Sequence, residues 1–115
     1  MKKQTQAIHT QFQRPDAYSS LSMPVYHTAA YEFGDAVSMT DAFCGRTDDP
    51  DYSRVMNPTV TFFENKVRAL TGATDVIALS SGMAAISNAL LALAESGRNI
   101  VTSRHLFGNT YSLIT

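Results

Sequence analysis

From Met83 to about Glu95 the sequence reads MAAISNALLALAE, a helix-forming run with apolar residues on nearly every side. A helix dressed in this way needs cover on more than one face, more than a lone chain of 115 residues readily supplies. Its flanks narrow the choice further. Asp75 to Leu79 is a short apolar run, too brief for a helix and suited to a buried parallel strand. Asn99 to Thr102 is a second such run. Residues 75 to 102 are therefore expected to form a strand–helix–strand unit with a right-handed crossover, the helix being capped at its end by Ser96-Gly97. This is an α/β signature.

Upstream, Asn57-Pro58 marks a helix start. Asparagine accepts a free N–H as N-cap, and proline occupies the first helical position, where its missing donor does no harm. Val60, Phe63, Val67 and Leu70 recur at helical spacing, with Glu64, Lys66 and Arg68 off the stripe, and Gly72 is placed as a left-handed C-cap. Residues 1 to 51 look different. Turn formers cluster at Arg14-Pro15-Asp16, Ser22-Met23-Pro24 and Thr47-Asp48-Asp49-Pro50, broken only by apolar pieces at Val25 to Phe33 and Ala36 to Phe43. This stretch carries Phe12, Tyr18, Tyr26, Tyr31, Phe33 and Phe43, an aromatic load that fits an arm packing on something else, such as a partner subunit. Phe107 to Thr115 reads as the start of another helix.

Composition excludes more than it selects. Hydrophobic residues make up 44%, charged residues 17%, and the formal net charge is −1, which disfavours disorder and a polyanion partner. The basic Met1 to Lys3 start reads as a solvated tail. No apolar run has membrane length, no apolar signal-peptide core follows the start, and Cys44 stands alone, so a cytoplasmic, reducing setting is expected. His9, His27 and His105 share no metal-ligand spacing, and no metal is expected.

The turn Ser80-Ser81-Gly82-Met83 lies where a parallel strand would pass into a helix, the position at which α/β sheets bind ligands. Gly82 permits close backbone approach, and the first helical N–H groups with the helix dipole suit an anion such as phosphate. Taken alone, the turn is equally compatible with a Ser81-capped helix that binds nothing. Neither G-x-x-x-x-G-K nor G-x-G-x-x-G occurs, which argues against nucleoside triphosphates and dinucleotides. Tyr52-Ser53-Arg54 offers a phenol and a guanidinium within three residues, suited to a phosphate dianion, although a lone Tyr-x-Arg in a loop is more often a surface feature.

Taken together, these pieces resemble a known family. Tyr52-Ser53-Arg54-Val55-Met56-Asn57-Pro58-Thr59 resembles the Y-S-R-x-x-N-P-T signature of the trans-sulfuration (Cys/Met metabolism) family of fold-type I pyridoxal-phosphate (PLP) enzymes. Ser80-Ser81-Gly82-Met83-Ala84-Ala85 is similar to that family's S-S/A-G-M-A-A turn, and Pro24 to Phe33 to its P-x-Y-x-T-x-x-Y-x-F arm. The resemblance spans essentially the whole chain. It implies an α/β fold: an N-terminal arm over residues 1–51 that packs on a partner subunit, then residues 52–115 as the first part of the PLP-binding large domain, a mixed, mostly parallel sheet flanked by helices. It also implies that Ser81, Gly82 and Met83 hold the cofactor phosphate and that Phe107 stacks on its ring. Tyr52 and Arg54 would reach the phosphate of the neighbouring subunit's cofactor, in a homo-oligomer that is commonly a tetramer.

Phe107 departs from the tyrosine that most members carry. Phenylalanine keeps the stacking face and loses the hydroxyl. Ser103-Arg104-His105-Leu106-Phe107-Gly108-Asn109-Thr110 is instead similar to the S-R-x-x-F-G-x-T version associated with homoserine-ester sulfhydrylases, which implies γ-replacement: an O-acetyl- or O-succinylhomoserine plus sulfide gives homocysteine. A cystathionine or methionine γ-lyase and a non-catalytic phosphate-binding fragment are the alternatives. The family's Schiff-base lysine, its pyridinium-pairing aspartate and its carboxylate-binding arginine match nothing in this chain. Its lysines are Lys2, Lys3 and Lys66, so no catalytic residue is assigned and the 115-residue chain alone is expected to be inactive.

Overall fold

A computed structural model describes residues 2–10 and 17–115. The expected turn at Arg14-Pro15-Asp16 lies outside the described residues. The elements, in order, are α1 (Lys3–Ile8), α2 (Ala36–Phe43), α3 (Pro58–Thr71), α4 (Gly82–Leu93) and α5 (Gly108–Ile114). They fall into two compact units, Met1–Ile77 and Ala78–Thr115.

In the first unit α3 starts and stops where its sequence dictates. The Asn57 side chain accepts from the Thr59 N–H, Pro58 opens the helix, and Gly72 ends it at φ 74°, a left-handed conformation that glycine adopts without steric cost. The expected stripe is turned inward only in its second half. Val67 and Leu70 are half-buried, as are Thr61, Phe62, Asn65 and Lys66, whereas Val60 and Phe63 are exposed, Phe63 by 55%. Helix α1 packs on α3, and the Gln6 side-chain amide donates to the Ala69 carbonyl at 2.7 Å. Lys2 and Lys3 of the expected solvated start are exposed, and from Lys3 the chain forms a short helix that docks on α3. Helix α2 coincides with the apolar piece at Ala36 to Phe43 and is capped by Asp35, whose carboxylate accepts from the Val37 and Ser38 N–H groups.

In the second unit α4 is capped by Ser81, whose hydroxyl oxygen accepts from the Ala84 N–H. It ends at Leu93, short of Glu95. Ala94 turns to extended backbone, and Gly97, at φ 81°, serves instead in a turn closed by the Arg98 N–H on the Glu95 carbonyl. Helix α5 packs against α4.

The expected strands are not formed. Among the described residues the one β contact is an isolated antiparallel bridge between Ala30 and Tyr52, and residues 75–79 and 99–102 have no regular secondary structure. A strand exists only where a neighbouring strand takes up its N–H and C=O groups, and neither segment has such a partner here. Burial is correspondingly thin. Ala42 is the buried hydrophobic residue and Asn57, 9% exposed, the buried polar one among the described residues. On α4, Leu91 and Leu93 are 78% and 85% exposed.

Candidate cofactor site

In the second unit the site begins with the geometry of a helix start. The first N–H groups of a helix have no acceptor one turn back. Ser81 takes up one of them, that of Ala84, at 3.0 Å. The N–H groups of Gly82 and Met83 are left, with the positive end of the α4 dipole behind them. A Cβ built on Gly82 would meet nothing within 4 Å, so open space lies against this turn. Two donors, a dipole and open space suit the phosphate of a cofactor. Ser81 can add to them, because its oxygen accepts from Ala84 while its O–H stays free to donate.

Phe107 sits at the N-cap of α5 with its ring 74% exposed and no capping role for its side chain. One turn on, the Thr110 hydroxyl points to the Met83 sulfur at 3.8 Å. That contact joins the first turns of α4 and α5 and so brings Ser81, Gly82, Met83 and Phe107 to the same end of this unit. His105 donates its backbone N–H to the Ser103 hydroxyl at 3.1 Å, a local turn that shapes the approach to Phe107.

Tyr52 and Arg54 lie in the first unit. The Ala30–Tyr52 bridge anchors Tyr52, and the Val55 and Met56 N–H groups both donate to its carbonyl, folding Tyr52 to Val55 into a tight turn. The Arg54 guanidinium stands 5.4 Å from the centroid of the Tyr52 ring, within cation–π range, so phenol and guanidinium are presented together. Beside them an open groove of about 920 Å³ is lined by Tyr31, Phe33, Met39 and Val55 along with Tyr52 and Arg54.

The sequence reading overlooked what holds this turn. Asn57 is predicted as a cap, and Ser53 and Thr59 enter only as positions of the motif that carries the resemblance, yet their side chains bind the arm. The Asn57 amide donates to the Tyr26 carbonyl and to the Ser53 hydroxyl, both at 3.0 Å. Ser53 donates to the Thr28 carbonyl, and the Thr59 hydroxyl accepts from the Tyr26 N–H and donates to the Pro24 carbonyl. Polar residues at the spacing S-x-x-x-N-x-T ahead of a helix were the available signal.

Elsewhere, Cys44 is exposed at the end of α2, and no group of three or more His, Cys, Asp or Glu among the described residues could hold a metal ion. No helix among them is long and apolar enough to cross a membrane.

Residues 4–115 match the family described as Cys/Met metabolism PLP-dependent enzyme. The O-acetyl-L-homoserine sulfhydrylase of Corynebacterium glutamicum is 40% identical over 111 residues, 96% of this chain and 25% of that protein. An L-methionine gamma-lyase of Fusobacterium nucleatum is 38% identical over 110 residues, 96% of this chain and 28% of that protein. Among solved structures, a putative O-acetylhomoserine (thiol)-lyase from Campylobacter jejuni, crystallised with an N'-pyridoxyl-lysine-5'-monophosphate, superposes with a TM-score of 0.89 at 33% identity, over 100% of this chain and 28% of that one. The chain thus spans about a quarter of the length of the curated relatives it matches.

Proposed function

The chain belongs to the Cys/Met metabolism family of PLP-dependent enzymes, and on that premise we propose that it forms the N-terminal portion of an enzyme converting an O-acyl-L-homoserine and sulfide to homocysteine. The observation that carries its part in this is the α4 start, where the Ser81 cap leaves the Gly82 and Met83 N–H groups to receive a phosphate. When bound, pyridoxal phosphate supplies an electron sink for the amino-acid substrate. The residues of this chain bind and orient. Gly82 and Met83 give backbone donors to the phosphate, Ser81 gives its O–H, and Phe107 gives a flat apolar face for the pyridine ring. Having no hydroxyl, Phe107 moves no proton. Tyr52 and Arg54 reach the phosphate held by a neighbouring subunit, on which residues 1–51 pack as an arm. Residues 52–115 begin the large domain, in which residues 75–79 and 99–102 pair with further strands of a mostly parallel sheet.

Gly82 separates a ligand-binding turn from a merely capped one. With open space beside it and an ordinary φ, Gly82→Ala should leave α4 intact or steadier, since alanine is favoured over glycine by up to about 1 kcal/mol in a helix. If a phosphate rests against this backbone, the same change should weaken pyridoxal-phosphate binding by the natural-length protein about tenfold, read by absorbance titration. Unchanged affinity would reduce the turn to a capped helix start.

A second reading, a γ-lyase of the same family, is favoured by the 38% identity to a methionine gamma-lyase. Phe107 decides between them. The natural-length enzyme should make homocysteine from O-acetyl- or O-succinylhomoserine with sulfide and should release little ammonia and α-keto acid from methionine. Phe107→Tyr, which restores a hydroxyl at the ring face, should raise elimination relative to replacement severalfold. Strong methionine cleavage by the unaltered enzyme would select the lyase.

A further inference from the structure

We propose that Asn57 is a positioning residue for phosphate binding: its side-chain amide locks the arm from Pro24 to Tyr31 against the Tyr52–Arg54 turn, so that Tyr52 and Arg54 meet an anion as one preset unit. The inference rests on the proposed role of those two residues and adds to it the part that holds them.

Capping alone does not account for asparagine at this position. Asparagine, aspartate and serine are about equally good N-caps, because a cap needs only an acceptor. Here the acceptor, Oδ1, takes the Thr59 N–H at 2.9 Å, while the amide that aspartate and serine lack reaches outward. One of its hydrogens goes to the Tyr26 carbonyl of the arm and the other to the Ser53 hydroxyl, inside the Tyr52–Arg54 turn. The side chain therefore ties three segments together, and it is the buried polar side chain among the described residues.

Ser53 extends the tie. Its single proton goes to the Thr28 carbonyl, so in the 3.2 Å contact with Tyr31 the phenol must be the donor, and the Ser53 oxygen then accepts from both Asn57 and Tyr31. The Ser53 N–H in turn donates to the Ala29 carbonyl at 2.9 Å. The N–H and hydroxyl of Ser53, next to Arg54, are all directed to the arm or to Asn57, which leaves the turn little freedom. Preset geometry favours binding because less freedom is lost when the ligand arrives.

The test uses the natural-length protein, stripped of cofactor and titrated with pyridoxal phosphate. Asn57→Asp keeps the cap and removes the two amide donors. It should weaken binding about tenfold, and the Ser53 amide should exchange hydrogen faster while amides within α3 keep their protection. Arg54→Ala should also weaken binding. The double variant should bind within about twofold of Arg54→Ala alone, because a residue acting through Arg54 has nothing to add once Arg54 is gone. Ser53→Ala, which leaves Asn57 and the cap in place, should give the same pattern and serves if Asn57→Asp does not accumulate. Unchanged affinity for Asn57→Asp, or penalties that multiply in the double variant, would overturn the proposal. Unchanged affinity for Arg54→Ala would remove the phosphate role of the turn and with it this proposal; accelerated Ser53 exchange in Asn57→Asp would then identify a clamp serving the fold alone.

Discussion

In residues 24–31 and 52–59 side chains hold the backbone: Ser53, Asn57 and Thr59 bind carbonyls of the Pro24 to Thr28 stretch, where there is almost no regular structure. In residues 82–114 the backbone holds itself, in two helices joined at their first turns by Thr110 and Met83. The first arrangement is specific, because each bond needs a particular donor in a particular place. The second is generic, since a capped helix start forms wherever a Ser precedes a helix-forming run. The proposed phosphate site of backbone N–H groups needs only that generic geometry, whereas the two side chains proposed to reach a second anion from a loop need the loop fixed by something else. The two regions differ in polarity for the same reason. The loop is knit by polar groups, and α4 is left with leucines facing outward.

That contrast is broken most severely at the outward face of α4. An exposed leucine forgoes roughly 1.5–3 kcal/mol of burial free energy, and Leu91 and Leu93 lie two positions apart near the helix end. The 115-residue chain alone is therefore expected to associate nonspecifically and to bind a hydrophobic dye. Replacing both leucines with lysine should raise its soluble yield severalfold and abolish dye binding without loss of far-ultraviolet helix signal. If the double variant still aggregates, the apolar face of α3 at Val60 and Phe63 becomes the main liability, and the first unit is no better satisfied than the second.

A smaller effect sharpens the difference in how the helices begin. Ser81→Ala removes the acceptor for the Ala84 N–H and should cost α4 about 1 kcal/mol, typical for loss of a serine cap. The loss should be confined to its own unit: amides of α4 should exchange faster while those of α3, capped independently by Asn57, stay protected. Equal acceleration in both helices would show that the units share one unfolding transition.

These local features are also where sequence reading worked. Asn57-Pro58, Gly72 and Ser81 act through residues no more than four positions away, so their types announce their roles. The face that a helix buries is not local. The Val60, Phe63, Val67, Leu70 stripe was legible and its second half is half-buried, but nothing in the stripe foretells that α1 packs on α3. Strands are less local still. Residues 75–79 and 99–102 have the composition of buried strands, yet composition supplies no partner for their N–H groups. At the candidate site, Gly82, Tyr52, Arg54 and Phe107 stand out as candidates through chemistry and resemblance. Asn57 and Ser53 do not, because their importance lies in bonds to carbonyls some 25 to 31 residues away, and a carbonyl carries no signature in the sequence.

The mildest difference between the two regions is in how their caps respond to acid. Asp35 caps α2 with a carboxylate, and hydrogen bonds from the Ser38 N–H first, then the Ser38 hydroxyl, with the Val37 N–H, hold its pKa below the ordinary 3.8 despite some desolvation. A carboxyl whose folded-state pKa is lowered contributes stability above its unfolded value and loses it as pH falls through the folded one. Helix α2 should thus be steady above pH 3.8 and fray as the solution is acidified below that value. Ser81 has no proton to gain in this range, so α4 should keep its cap. Asp35→Asn, which retains the acceptor and removes the charge, should make the α2 response flat as well. Carbon-detected titration of Asp35, run beside the exchange of α2 and α4 amides, would read both. If α2 and α4 fray together in the wild-type chain, the acid response belongs to other carboxyls, and the Asp35 cap is too exposed to matter.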